Sequence, residues 1–591
     1  MNPIDRGFRW ILIFGALAVA SSIGRGAIPL QQSDRIKVPR EAPDDPMAPG
    51  GRFVNPAASV STGPYVSIQV NVDKNGSNIL GDAANEPSIG VDPTNPGNLV
   101  IGWRQFDTVA SNFRQAGWAY SLDRGTTWTF PGVIDPGQFR TDPVIGADAD
   151  GDFFYFSLNG NFLCDLFKSA DKGKTWGPPV PAWGGDKNWM AIDRTSSSGR
   201  GHIYGIWQRY YNCCDEDTFT RSTDGGSSFD VPIEIPGHPT FGVLDVGPTG
   251  DVWAAGLLDQ EFDTFLVSRS TSARDAGQIP SFTTFLVDLG GWMEYALDPN
   301  PGGLAGQAYV RVDPRDPDRV YALCSVNPPG QDLLDVHFIR STDAGVTWSS
   351  PSRVNDVSTG YQWFGTMSVA PDGRIDVIWN DTRNGQGEAD LSELFYAYSY
   401  DEGRTFDGNV PVSPQWNSHL GWPNQSKIGD YYDMASDDHG ADLAYAATFN
   451  GEQDVYYVRL FPDCNGNGEA DLVDIETGVS NDVDADHVPD ECEFLAMEAE
   501  PLDPAIGSSL MLTFDNGFPG SFGLLYLVEV DSAPANVGLG LVFYDGSGKS
   551  EATVGVPRDP ALRGHRFTLL TFAIFLDGKV DSSNTVTVTI Q

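Results

Sequence analysis

The chain has 591 residues, and 80 acidic against 37 basic side chains give it a formal net charge of -43. A surface this acidic repels phosphate backbones and sets nucleic acid aside as a partner. Abundant Gly (66) and Pro (41), with 12% aromatic residues, argue against a helical protein and for many short strands joined by tight turns.

At the N-terminus Arg6 and Arg9 precede an apolar run from Trp10 to Ala20 that closes on Ala18-Val19-Ala20. Positive charge, a short apolar core and a small-x-small site are the pattern of a secretory signal. Residues 1–27 are therefore expected to be a signal peptide and the protein to be secreted, extracellular or at the cell surface. No later segment is apolar enough to span a bilayer, so the protein is expected not to be membrane-spanning. Residues 28–65, rich in Pro, Ala, Gly and Ser, read as a flexible leader. Export places the six cysteines in oxidising surroundings. Cys464 and Cys492 flank an acidic segment and are expected to pair. Adjacent cysteines do not easily pair with each other, so one of Cys213 and Cys214 is expected to pair with Cys164.

From residue 66 onward one phrase recurs: SLDRGTTW (121–128), SADKGKTW (169–176), STDGGSSF (222–229), STDAGVTW (341–348) and SYDEGRTF (399–406). Ser and Asp offer acceptors that close a turn, Gly takes a positive φ, and the terminal aromatic begins a strand and enters the core. Each copy ends a unit that opens on a short apolar strand, such as NEPSIGVDP (85–93) or FGTMSVAPDG (364–373). Seven such units are legible. The fourth carries a broken phrase within SRSTSARDAG (268–277), and the seventh carries none. VSIQVNVD (66–73) alternates like a strand and is expected to complete the last unit and remove its edge.

The phrase resembles the Asp-box of sialidases and related propellers. That resemblance implies an all-β fold, a β-propeller over residues 66–462; the seven units make it seven-bladed, a departure from sialidases, whose six blades are the alternative. It also makes Asp123, Asp171, Asp224, Asp343 and Asp401 structural, on the rim away from the ligand face.

Residues 463–496 form an acidic module, with eleven acids and no Lys or Arg between 463 and 493. Asp463, Asn465, Asn467, Asp471 and Asp474 take positions 1, 3, 5, 9 and 12 of an oxygen-ligand loop. Gly468 stands at the sharp turn, and Glu469 offers its carbonyl. Asp482, Asp484, Asp486, Asp490 and Glu493 repeat the pattern, with Val488 as the carbonyl and His487 in place of the usual Gly. The spacing predicts Ca2+ and resembles tandem dockerin or thrombospondin type 3 repeats. Residues 497–591 alternate as a small antiparallel β-sandwich and look like C-terminal modules of secreted, calcium-repeat-bearing bacterial proteins. That likeness implies cell-surface attachment or sorting, with a passive accessory domain as the equal alternative.

In a propeller, residues just before the first strand or just after the second strand of each blade reach one common mouth. Before first strands stand Glu86, Asp142, Lys187, Trp363, Asp430 and Tyr431; after second strands stand Arg104, Arg209, Asp381 and Arg383. Arginine suits a carboxylate ligand through its planar fork, and paired carboxyl groups are the apparatus of glycoside cleavage. By resemblance to sialidases, Arg104, Arg209 and Arg383 are a clamp, Glu86 or Asp142 an acid/base, and Tyr431 a nucleophile beside Asp430. Lys187, Trp363 and Asp381 complete the substrate-binding candidates. The sialidase F/Y-R-I-P motif is absent, and no pair of histidines has zinc spacing. Three readings stay open: a protein recognising a glycan or polysaccharide, an exo-acting glycoside hydrolase on acidic sugars, and a cell-surface scaffold.

Overall fold

A computed structural model of the chain describes residues 44–45, 53–259, 261–480, 482, 488–489, 492, 496–515, 522–544, 550–574, 580–583 and 585–591. The signal, much of the leader, and Asp484, Asp486, Asp490 and Glu493 lie outside the described residues. Among the described residues the protein is all-β apart from the helix Asp471–Thr477 and a single 3-10 turn, Pro560–Leu562. No described helix is long and apolar enough to cross a membrane. Two compact units meet in sequence between Ala470 and Asp471.

The larger unit holds seven antiparallel sheets and a two-stranded ribbon, Phe53–Pro56 on Ser77–Leu80. The first strands of the sheets are Ala83–Val91, Arg140–Ala147, Trp189–Ile192, Leu244–Val246, Tyr309–Val312, Gln362–Val369 and Asp433–Asp437. Each of these strands packs against the next, and the seventh packs against the first, so the sheets close a cycle. Sheets stacked on both faces need strands that are apolar on both faces. Leu99–Phe106 is accordingly buried at all eight positions, Arg104 and Gln105 included.

The seventh sheet is assembled from both ends of the unit. Asp433–Asp437, Gly440–Ala447 and Asp454–Leu460 come late in the chain, and Tyr65–Gln69 joins them with Ile68 opposite Tyr457. This is the strand expected from the alternation of VSIQVNVD. Pairing begins earlier than composition predicts, because Ser59–Thr62 adds a fifth strand on Tyr65–Gln69. Its half-buried, small side chains give no periodic apolar signal; the backbone ladder holds it.

All five intact phrases take one geometry. In the first, Gly125 N donates to Ser121 Oγ at 2.9 Å, Ser121 Oγ donates to Asp123 at 2.8 Å, and Thr127 donates to Asp123 from N (2.9 Å) and Oγ1 (2.6 Å). The latch glycines carry φ between +75° and +84°. Each also faces the preceding sheet, tightly at Gly345, where a Cβ would lie 3.0 Å from Trp253, and with no room for a Cβ at the other four. A Cβ at Gly125 would lie 2.0 Å from Tyr457, at Gly173 2.2 Å from Val100, at Gly226 2.5 Å from Leu166 and at Gly403 2.3 Å from Phe338. The phrase thus closes a hairpin and seats it on its neighbour. In the broken fourth copy Ala273 N donates to Ser270 Oγ, and the Ala273 carbonyl accepts from Arg221 of the third sheet at 2.6 Å.

The cysteine expectation needs one correction. Cys213 and Cys214 are bonded to each other, and Cys164 is a free, buried thiol at the start of the strand Cys164–Ser169. Cys164 Sγ packs against the Gly184 backbone, whose carbonyl accepts from Cys213 N at 3.0 Å, and the Cys213 sulfur is already committed to Cys214. Cys324 is likewise free and buried, while Cys464 and Cys492 are each disulfide-bonded.

In the smaller unit, Asp471 and Asp474 lie buried in the first turn of Asp471–Thr477, where acid favours the helix dipole. Two antiparallel sheets follow, one built on Ser509–Asp515 and one on Phe522–Val530 and Arg566–Ile574. Met497, Leu512 and Phe514 from the first share an apolar core with Leu525, Leu527 and Leu569 from the second.

Two neighbouring glycines separate the latch's two demands. Gly225 (φ +69°) has open space at its Cβ position, whereas Gly226 (φ +84°) faces Leu166. Gly225→Ala is expected to cost about 1 kcal/mol from backbone strain alone. Gly226→Ala is expected to cost about 1–3 kcal/mol more, through overpacking. Urea unfolding of the two variants measures the difference, and equal losses would contradict the inter-sheet role.

Candidate functional site

The start of each first strand has an irregular backbone. Register slips between Asn85 and Ser88, opposite Thr141 and Val144, and between Trp363 and Thr366. At the slip stands a non-glycine residue in the left-handed region: Glu86 (φ 50°), Asp142 (φ 49°) and Phe364 (φ 60°). Lys187 (φ 58°) and Phe241 (φ 59°) hold the same place in the third and fourth sheets, and Gly306 (φ 144°) and Gly429 (φ 111°) stand near it in the fifth and seventh. Such backbone costs on the order of 1–3 kcal/mol per residue and persists only where surrounding structure holds it. Here each bulge stops the ladder and re-aims one side chain.

Three of the re-aimed groups and the seventh sheet's Asp430 form a buried network. Asp430 accepts from Lys187 Nζ, from Lys427 Nζ at 2.8 Å and from Leu304 N at 2.9 Å. Asp142 accepts from Lys187 N at 2.8 Å and from Thr141 Oγ1 at 2.8 Å. Glu86 lies 3.1 Å from Arg104 Nε and 3.6 Å from Lys427 Nζ. Gly429 packs directly on Glu86, where a Cβ would meet Cγ at 2.7 Å. Three carboxyl groups thus stand among three cations.

The two central carboxyl groups are driven apart. Burial alone would raise Asp430, but Lys187, Lys427 and Arg104 surround it and hold it well below the usual carboxylate range. Glu86 is pushed up to about 7, chiefly by burial, against the pull of Arg104 and Lys427. The difference follows from where hydrogen bonds go. Both lysines donate to Asp430, and Arg104 Nε donates to Asn85 Oδ1 at 2.8 Å, so neither Glu86 oxygen receives a directed hydrogen bond. Environments that separate two carboxyl groups this way are the general means of keeping one acid protonated beside one carboxylate.

The remaining sequence candidates lie elsewhere. Tyr431 is buried and donates its hydroxyl to the Pro143 carbonyl at 2.9 Å, and burial pushes its acidity far from the neutral range. Trp363 lies in the core against Phe364 and Trp416 and donates Nε1 to Ser392 Oγ. Asp381 and Asp356 hold Arg383 at 2.8 Å and 2.5 Å, over the Phe395 ring. Arg209 is held by Asp259 at 2.8 Å and Glu216 at 3.5 Å. The structure therefore brings together Glu86, Asp142, Lys187, Arg104 and Asp430, and sets Arg209 and Arg383 into separate ion pairs. Lys427 completes the network and was not among the sequence candidates; its only sequence mark is a position three residues before Asp430.

By strand direction, loops entering first strands and leaving second strands share one end of the unit. Those loops carry exposed aromatic rings: Trp183 (39%), Tyr211 (37%) and Trp292 (37%). Phe162 stacks on Tyr211 with ring centroids 5.7 Å apart.

No protein-family model and no curated protein matches the chain. Among solved structures it is similar to a fungal alcohol oxidase of the AA5 family in complex with copper, at 12% identity and TM-score 0.43, over 90% of this chain and 100% of that one. It is similar to a Trypanosoma rangeli sialidase in complex with the inhibitor DANA, at 12% identity and TM-score 0.38, over 88% and 89%. It is also similar to a GH93 α-L-arabinofuranosidase of Fusarium graminearum in complex with arabinobiose, at 13% identity and TM-score 0.36, over 70% and 98%.

The raised Glu86 fixes a sign for pH dependence. Between the unfolded value of 4.5 and about 7 the folded state binds the extra proton, so Glu86 favours folding less as pH rises through that window. Glu86→Gln, a permanent mimic of the protonated acid, is expected to gain on the wild type by up to about 3 kcal/mol between pH 5 and pH 8. Denaturant unfolding at both pH values measures this; a constant difference would refute the assignment.

Proposed function

We propose that the seven sheets are the blades of a β-propeller, and that this secreted protein recognises a glycan or surface polymer at the loop end without cleaving it. The observation that carries the reading is the set of exposed rings at that end, Trp183, Tyr211 and Trp292. Aromatic faces supply broad, rigid apolar contact to a sugar ring while polar edges fix its orientation. Cleavage is disfavoured by prior commitment: Arg104, Arg209 and Arg383 already face carboxylates, and the Tyr431 hydroxyl is spent on a backbone carbonyl.

A second reading, an exo-acting glycoside hydrolase, draws on the paired carboxyl groups, with Glu86 raised and Asp430 held ionised. One experiment separates the two. Full-length protein with calcium is tested against sialosides, uronic-acid oligosaccharides and neutral glycans for both binding and released sugar. Saturable binding that weakens at least tenfold, about 1.4 kcal/mol, in Trp183→Ala or Trp292→Ala with no sugar released is the expected outcome. Release that Glu86→Gln abolishes would replace it with the hydrolase.

The reading extends to the acidic residues 463–496. Within the larger unit, Asn467 N and Gly468 N donate to Asp463, and Glu469 N donates to Asn467, which turns those side chains in on one tight loop with Gly468 at φ +92°. Oxygen donors at this spacing suit calcium, which when bound would neutralise the carboxylates and rigidify the segment. About two ions per chain are expected in equilibrium dialysis, falling by about one in Asp463→Ala and again with Asp482→Ala. Residues 497–591 are proposed as the attachment module.

A further inference from the structure

Away from the buried network, a second cluster of ligand-type side chains forms at the same loop end. Glu216 stands on the loop between the second and third strands of the third sheet, and Glu234 and His238 on the connection to the fourth. Their three ligand atoms lie within 4.8 Å of one another. His238 Nε2 is 2.9 Å from Glu216 Oε2 and 3.3 Å from Glu234 Oε1.

His238 itself points to a ligand. The residue is 9% exposed, and Nε2, although 2.9 Å and 3.3 Å from the two carboxylates, has no hydrogen-bond partner. A buried ring nitrogen left this way costs free energy unless something else engages it. Its backbone is left-handed (φ 48°), so a strained turn holds the ring toward the two glutamates. Arg209 pairs with the other Glu216 oxygen, Oε1, at 3.5 Å and with Asp259, leaving Oε2 toward His238. The two glutamate side chains are 57% and 53% exposed, so an ion reaches the cluster from solvent and keeps an open position.

We propose that Glu216, Glu234 and His238 bind a divalent cation of the zinc class. One imidazole with two carboxylates is a donor set for a borderline cation, as opposed to the all-oxygen set that calcium takes. Ligand atoms about 3.3 Å apart are those of a tetrahedron with bonds of about 2.0 Å, and the gaps from Nε2 to the two oxygens bracket that spacing. The ion ties the loop carrying the Cys213–Cys214 pair to the connection into the fourth sheet.

The test is a zinc titration of the full-length chain, stripped with chelator and then held in saturating calcium so that the acidic segment is occupied. Isothermal titration is expected to show one zinc site that weakens at least tenfold in His238→Ala and in Glu216→Gln and is unchanged in Asp463→Ala. Zinc is also expected to raise the Tm of the wild type and of neither weakened variant. Glu216→Gln changes an exposed side chain, so it decides the matter even where His238→Ala fails to fold. Absence of zinc binding in the wild type, or affinity equal in wild type and Glu216→Gln, overturns the site.

Discussion

The larger unit depends on one contact repeated around it: a hairpin glycine with positive φ pressed on the side chain of the preceding sheet. A β-sheet cannot bury both faces alone, so each must be held at close range to two others. At Gly125, Gly173, Gly226 and Gly403 that range is set by the missing Cβ, and the Ser and Asp of the phrase keep the glycine in place. The exceptions follow the same logic. In the fourth sheet the buried Ala273, three residues after Ser270, donates to Ser270 Oγ and accepts a hydrogen bond from Arg221 of the third sheet. The seventh sheet has no phrase because its third and fourth strands, Asp454–Leu460 and Tyr65–Gln69, are not joined by a hairpin.

At the opposite end the constraint is electrostatic. Five left-handed residues start first strands, and three of them are charged. Buried charges are stable only in balanced, hydrogen-bonded company, and breaking such a set by removing one partner is costly. Asp430 gathers the lysine donors, which leaves Glu86 with nearby charge but no directed bond. One network thereby produces a firmly ionised carboxylate and a neutral-range acid within the same buried space.

Much of this was legible in the sequence, for identifiable reasons. The phrase writes its own turn chemistry, so five hairpins and their spacing follow from Ser, Asp and Gly alone. The closing strand Tyr65–Gln69 was legible because it alternates. Ser59–Thr62 was not, since an outer strand held by backbone bonds needs no pattern. Arg104 and Glu86 were found from their place beside strand ends, but Lys427 was missed because a lysine in a loop carries no sign of burial. Arg209 and Arg383 occupy equivalent places in sequence and are separated by their local carboxylates, Asp259 and Asp356, which only the folded chain brings near. His238 and its glutamates are spread over 216–238 without metal-ligand spacing, so their meeting is a product of tertiary structure.

The pairing of Ile68 with Tyr457 also sets an order of events. A chain that emerges from its N-terminus makes Tyr65–Gln69 early, with Ser59–Thr62 along one edge, and must leave its other edge open until the last sheet exists. Each of the first six sheets is local in sequence and can form as its residues appear, whereas the seventh waits on the closure of almost the whole unit. The entropy of closing so long a loop grows slowly with its length, but contacts of such sequence separation slow the search for the native state. Until then Asp454–Leu460 presents an open edge, the kind of surface that pairs with other copies. The seam is thus the step at which folding and self-association compete.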